Sequence, residues 1–175
     1  AMRASDSNAF ADRSQDPGEN GEMFDLAPVA LWLEDYSELK ALFDQWRQAG
    51  VTDLRAYLTA NPRRIQACAE RIRVLKVNRR TLGLLEAADL PDLMENLGRI
   101  IRDDALAGHL EEMVQLWDGQ GGFASHSVNY TLGGRRLDIQ VNGTVRPGSE
   151  ETWDRVLVAV EDGTVRERAR RQLAA

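Results

Sequence analysis

Phe123-Ala124-Ser125-His126-Ser127-Val128-Asn129-Tyr130-Thr131-Leu132-Gly133-Gly134-Arg135-Arg136-Leu137-Asp138-Ile139-Gln140-Val141 is the stretch that decides the fold. Ala124, His126, Val128, Tyr130 and Leu132 recur with period two, and so do Leu137, Ile139, Val141 and Val145. Successive side chains of a strand point to opposite faces, so each run reads as a strand with one apolar side. Gly133-Gly134 between them predicts a two-residue hairpin turn, which needs positive φ at both positions. Pro147-Gly148-Ser149 marks the next loop, and Val156 to Val160 predicts a third strand. That strand is apolar on both sides, and such strands are covered on both sides. The outer face of the sheet therefore needs a cover, from the chain's own termini or from a partner subunit.

Upstream of this β region the pattern is mostly helical. Residues 29–36, Val-Ala-Leu-Trp-Leu-Glu-Asp-Tyr, read as a buried strand between Pro28 and Ser37. Ser37 is then an N-cap, Leu39, Leu42, Phe43 and Trp46 form the apolar stripe of a helix, and Gly50 ends it. A short helix near Thr52 carries Leu54, Tyr57 and Leu58, and a third opens at Asn61-Pro62 with Ile65, Cys68, Ala69 and Ile72 on one face. Val74–Val77 predicts a strand. Short helices follow at Thr81–Leu85 and from Asp89-Leu90-Pro91. A longer one starts near Asp103 with Leu106, Leu110, Met113, Val114 and Trp117. Beyond the β region, Val165 to Ala175 reads as an Arg-rich helix. Residues 1–22 carry no periodicity and predict a disordered leader.

The chain has 175 residues, 43% hydrophobic and 29% charged, which suits one globular domain. One cysteine excludes a disulfide framework and a multi-cysteine zinc site. No apolar run approaches the roughly 18–20 residues of a membrane span, and no signal peptide is visible, so a cytoplasmic location is expected. The net charge of -6 argues against a nucleic-acid partner. The local exception, Arg166, Arg168, Arg170 and Arg171, reads as a solvated helix face.

Chemistry-bearing residues are few. Gly119, Gly121 and Gly122 precede a strand rather than a helix, so they make a turn and not a phosphate loop. Cys68 lies on an apolar stripe and reads as a small core residue. His109 borders the apolar face of its helix, and His126 sits on the apolar side of its strand. Both either line a cavity or are hydrogen-bonded core residues. No cofactor is favoured. Haem with His109 as axial ligand is the sharpest cofactor reading, and no metal site is expected. Asp103 and Asp104 suit a helix start. Glu111 and Glu112 lie off the apolar face and read as solvated, which leaves acid–base catalysis without support. A small enzyme relying on the two histidines is the weakest of the readings.

Two motifs then carry a resemblance. Val77-Asn78-Arg79-Arg80-Thr81-Leu82 is a strand ending in Asn before a helix, and Glu161-Asp162-Gly163-Thr164-Val165-Arg166-Glu167-Arg168 leads from the last strand into a helix. In this order, around short helices, a longer helix and three antiparallel strands, they resemble the PAS sensor domains of bacterial signalling proteins. The similarity extends to the sensor regions of histidine kinases and the modules before diguanylate cyclases. It covers about residues 74–170. Asp162, Thr164 and Arg166 match the terminal Asp-Ile-Thr-Glu-Arg pattern, while Gly163 and Val165 depart from it.

The resemblance implies an α+β, five-stranded antiparallel sheet with helices on one face and a ligand cavity between them. Residues 29–36 would be the first strand and 37–72 a helical insertion after it. The domain is then expected over 23–164, with a signalling helix from 165. The resemblance also implies a non-enzymatic, homodimeric module relaying a ligand- or partner-induced change to a covalently linked effector. The cavity is expected between the 106–117 helix and the inner face of 123–141, with His109, Met113, Trp117, His126 and Tyr130 as pocket candidates. Asp162 and Thr164 are expected to anchor the exit helix. Flavin–cysteine photochemistry is disfavoured, because Cys68 falls in the insertion. A ligand-free adaptor, its interior filled by its own side chains, is the competing reading.

Overall fold

The computed structural model describes residues 17–174. Its core is a five-stranded antiparallel sheet of β1 (Ala30–Asp35), β2 (Arg73–Val77), β3 (Gly122–Tyr130), β4 (Arg136–Val145) and β5 (Val156–Asp162), in the order β2-β1-β5-β4-β3. The last strand in sequence, β5, is therefore the central one, and β1 lies between it and the β2 edge, with Trp32 facing Val77 on one side and Val158 on the other. The α+β sheet expected from the resemblance is present. The segment between β1 and β2 forms α2 (Ser37–Gln48), α3 (Leu54–Ala60) and α4 (Arg63–Glu70). Between β2 and β3 lie α5 (Arg79–Leu85), α6 (Leu90–Glu95), α7 (Leu97–Ile100), one 3-10 turn (Asp103–Ala105) and α8 (Leu106–Trp117). Helix α9 (Thr164–Ala174) leaves the last strand.

The ends of these elements follow local chemistry. Asp53, Asn78 and Asp89 cap α3, α5 and α6, accepting from Ala56 N, Thr81 N and Asp92 N. Ser37 does not cap α2 as expected. It is the first helical residue, and its N–H donates to Asp35 Oδ1 at 2.8 Å. A further helix, α1 (Pro17–Leu26), takes in the last residues of the expected leader, while residues 1–16 lie outside the described residues.

The inward faces of the sheet supply Ala30 and Trp32 from β1, Leu137, Ile139 and Val141 from β4, and Val156, Val158 and Val160 from β5. Leu39, Phe43, Leu54, Leu58 and Cys68 join them from α2, α3 and α4. Gly143 has no room for a side chain, because the Phe123 ring of the neighbouring strand packs on it. At Gly108 an added Cβ would meet His126 O at 2.8 Å, so this glycine lets α8 lie directly against β3.

The hairpin differs from expectation in an instructive way. β3 ends at Tyr130 and β4 begins at Arg136, so residues 131–135 form the connection, closed by Thr131 N–H to Arg135 O and Gly134 N–H to Thr131 O at 2.9 Å each. Only Gly134 of the glycine pair has positive φ. Tyr130 therefore faces Arg136 and Ser127 faces Ile139. A two-residue turn would have set Tyr130 against Leu137, one residue away, and a one-residue slip moves every side chain to the other face. The face of β3 turned to the helices is Phe123, Ser125, Ser127 and Asn129. His126 and Tyr130 lie on the opposite face. On β5, Leu157 remains 39% exposed, so the outer apolar surface is covered only in part.

Candidate functional site

Between the inward face of the sheet and helices α4 and α8 is a cleft of about 540 Å³. Its floor is apolar, made of Ile139, Val141, Val158 and Val160. Its walls are not. β1 alternates Trp32 and Glu34 inward, and Tyr36 follows on the same side. β3 contributes Ser127 and Asn129, and α8 contributes His109 and Glu112. The mouth is formed by Gln66 and Glu70 of α4 and by Arg102 and Asp103.

The interior polar groups are deeply placed and largely unpaired. Glu34 is 9% exposed, Asn129 6% and Tyr36 3%. Among the described residues, the Glu34 carboxyl, the Tyr36 hydroxyl and the Asn129 amide make no side-chain hydrogen bond within the chain. Glu112 has one partner, Ser125, whose hydroxyl donates to Oε2 at 3.2 Å. Burial, reinforced by the negative charge of Glu112, pushes Glu34 from 4.5 up to about 8. Burial also raises Glu112 to about 7, against the lowering effect of Ser125. Tyr36 is raised as well, by burial and then by the two carboxylates. At neutral pH Glu34 therefore keeps its proton. His109 is lowered by burial and presents a neutral imidazole.

Of the five pocket candidates, His109 lines this cleft and the others are elsewhere. Met113 is core, 2% exposed. Trp117, at the end of α8, is held against α2 and the α2–α3 connection: its indole N–H donates to Thr52 O at 3.2 Å, and the Arg47 guanidinium stacks 4.0 Å from its ring. His126 and Tyr130 point outward because of the hairpin register. Tyr130 donates to Asp104 under the Arg102 guanidinium, and His126 borders a second, outer groove beside α9. Glu112, expected to be solvated, is 7% exposed. It lies one helical turn beyond Gly108, on the face that α8 presses against β3. That glycine is the sequence signal for it. The signal for Glu34 is its period-two spacing from Trp32 and Tyr36.

Asp162 and Thr164 form the joint between sheet and exit helix. Thr164 N–H donates to Asp162 Oδ1, and Asp138 N–H of β4 donates to the Thr164 hydroxyl, both at 3.0 Å. Gly163 N–H donates to Asp138 O at 2.7 Å. At the β2 edge of the sheet, Asn78 uses its whole amide. Nδ2 donates to Phe24 O and Val29 O, and Oδ1 accepts from Leu31 N and Thr81 N.

Among the described residues no group of three or more His, Cys, Asp or Glu is arranged to hold a metal ion. None of the described helices is long and apolar enough to cross a membrane. Cys68 is fully buried in the core, outside the cleft, and its thiol is pushed up to about 12 by burial. The cleft therefore does not fit a cysteine–flavin adduct.

No family model and no curated protein matches the chain. Solved structures do. A PAS domain from Colwellia psychrerythraea aligns at 10% identity and TM-score 0.52, covering 83% of this chain and 95% of that one. An RsLOV variant aligns at 15% identity and TM-score 0.54, covering 87% and 69%. An RNA-binding Light-Oxygen-Voltage receptor aligns at 14% identity and TM-score 0.57, covering 99% of this chain and 40% of that one. With the β2-β1-β5-β4-β3 sheet, the helices packed across it and these likenesses in one chain, the protein has a PAS-like fold.

Proposed function

We propose that this chain is a non-enzymatic sensory module. A small ligand enters the cleft, and the resulting change passes through α9 to a covalently linked effector. One observation carries the reading. The interior holds a cleft walled by polar side chains of largely buried residues that make no side-chain hydrogen bond among the described residues, so their free valences face the cleft and are available to a ligand. The competing adaptor reading needs an interior closed by its own apolar side chains, which this cleft is not.

The route outward starts at Ile139, which lines the cleft and neighbours Asp138 on β4. Asp138 is bonded to Thr164 at the first residue of α9. A ligand moves such a coupling only through different affinity for its two states. Homodimerisation belongs to the same proposal and is supported by Leu157, exposed on the outer face beside the partly buried Ala159. A bacterial histidine kinase is the favoured effector class, a diguanylate cyclase the second, and a cytoplasmic location goes with both.

Native mass spectrometry of the purified chain, wild type and Ser127→Phe, tests this. The wild type should carry or take up a small mass that the cleft-filling variant does not, as a dimer. Equal uptake by a folded Ser127→Phe variant would remove the cleft as the ligand site.

A further inference from the structure

We propose that the cleft is a site for a small organic cation, an aliphatic ammonium held between the carboxylates of Glu34 and Glu112. The inference deepens the ligand-sensing reading and rests on it.

The argument begins with charge. The ionisable groups facing the cleft are Glu34 and Tyr36 from β1 and the residue after it, Glu70 from α4, Arg102 and Asp103 at the mouth, and His109 and Glu112 from α8. β4 and β5 contribute apolar side chains only. Arg102 is the one cation among them. It is exposed at the mouth, its Nε donates to Arg99 O at 3.0 Å, and its guanidinium stacks 3.7 Å from the Tyr130 ring. It is engaged there rather than inside. His109 is held neutral by burial. Four carboxyl groups thus face one outward-turned cation, and two of the four are interior.

The second line is independent of charge. An alkylammonium offers three donors and an apolar tail. Asn129 and Tyr36, nine-tenths or more buried with no side-chain partner among the described residues, add acceptor oxygens beside the carboxyls. Trp32 and Tyr36 supply aromatic surface that suits a cation, and Val141, Val158 and Val160 suit the tail. A carboxylate ligand would be repelled by Glu34 and Glu112 wherever they are ionised, increasingly so as pH rises.

The site also predicts a proton signature. Without a cation the pair is protonated at Glu34, with its value at about 8 beside Glu112 at about 7. An ammonium is attracted only to the ionised forms, so its binding must release protons and tighten as pH rises. Burial holds His109 below its ordinary value, so above about pH 7 it adds no opposing step.

The test is isothermal titration calorimetry on the whole chain with n-butylammonium, n-butanol and n-butyrate, between about pH 6 and about pH 9. Butylammonium should bind saturably, tighten by about tenfold or more across that range, and release protons in buffers of different ionisation enthalpy. Glu34→Gln and Glu112→Gln should each weaken it by about tenfold or more with the fold intact by circular dichroism. Binding of butyrate or butanol in preference to butylammonium overturns the cationic assignment while leaving a ligand cleft. So does butylammonium binding that ignores both substitutions. No binding of any of the three up to about 10 mM overturns the assignment, and the uptake comparison with Ser127→Phe then decides separately whether the cleft binds anything.

Discussion

Asn78 and Asn129 are both buried asparagines, 0% and 6% exposed, on the same sheet. Their surroundings are opposite. Asn78 sits at the end of β2 with its amide fully used, tying the last turn of α1, the segment after it, the start of β1 and the first turn of α5 together. The Thr81 hydroxyl, 3.0 Å from both Leu31 O and Asn78 Oδ1, completes the knot. Asn129 faces a cleft and has no side-chain partner among the described residues. The same side chain at the same depth is a fastener in one place and an unused contact in the other. Burial alone does not identify a functional residue. Burial with an unmet hydrogen-bonding demand does.

The contrast can be broken by substitution, and the largest effect should come from the fastener. Asn78→Leu leaves the Phe24, Val29 and Leu31 backbone groups without their partner, so urea unfolding should show a loss of about 3–4 kcal/mol. A loss under about 1 kcal/mol would show that the knot contributes little.

Next in size is Glu34→Gln, with the sign reversed. The folded chain holds the Glu34 proton up to about pH 8, whereas the unfolded chain loses it near 4.5. The folded state thus binds more protons in between, and its stability falls as pH rises through that window. A neutral amide removes this loss, so Glu34→Gln should exceed the wild type by on the order of 3 kcal/mol near pH 9 and converge with it near pH 4. Glu112 and Tyr36 remain in place and set the rest of the pH profile. A difference independent of pH would break the assignment.

The smallest effect should come from Asn129→Leu, within about 1 kcal/mol of the wild type, because no hydrogen bond is lost and apolar area is gained. Its signature should be weakened butylammonium binding rather than a shifted melting temperature. A loss comparable to that of Asn78→Leu would erase the distinction between the two asparagines.

Much of the fold was legible, because alternating strands, apolar helix stripes and the Asp162–Thr164 exit are encoded by local chemistry, whereas the named caps Ser37 and Asn61 gave way to Tyr36 and Pro62. The site was legible only in part. Alternation along β3 shows that two faces exist, and the usual rule assigns the apolar one inward. Here Ser125, Ser127 and Asn129 face in, because a polar cleft replaces apolar core beside α8. The missing information was the length of the 131–135 connection, which fixes register and therefore face. Glu112 was misread for a related reason. A helix pressed on a sheet through a glycine has a second buried face beside its apolar stripe.

The interior place of β1 in the sheet has a consequence for the order of assembly. β3, β4 and β5 are joined in sequence by short connections and can pair locally. Every partner of β1 is remote: β2 lies beyond three helices, and β5 lies near the far end of the chain. Closing long loops is entropically slow, so β1 is expected to dock after the C-terminal meander has formed. β1 carries Trp32 and Glu34, so the cleft comes into being only at that late step. Pulsed hydrogen exchange would read the sequence of events directly, with protection of the β1 amides lagging that of β4. A compound that occupies the cleft then has nothing to bind until folding is nearly complete, and it acts as a latch on the last strand rather than as a seed for the first.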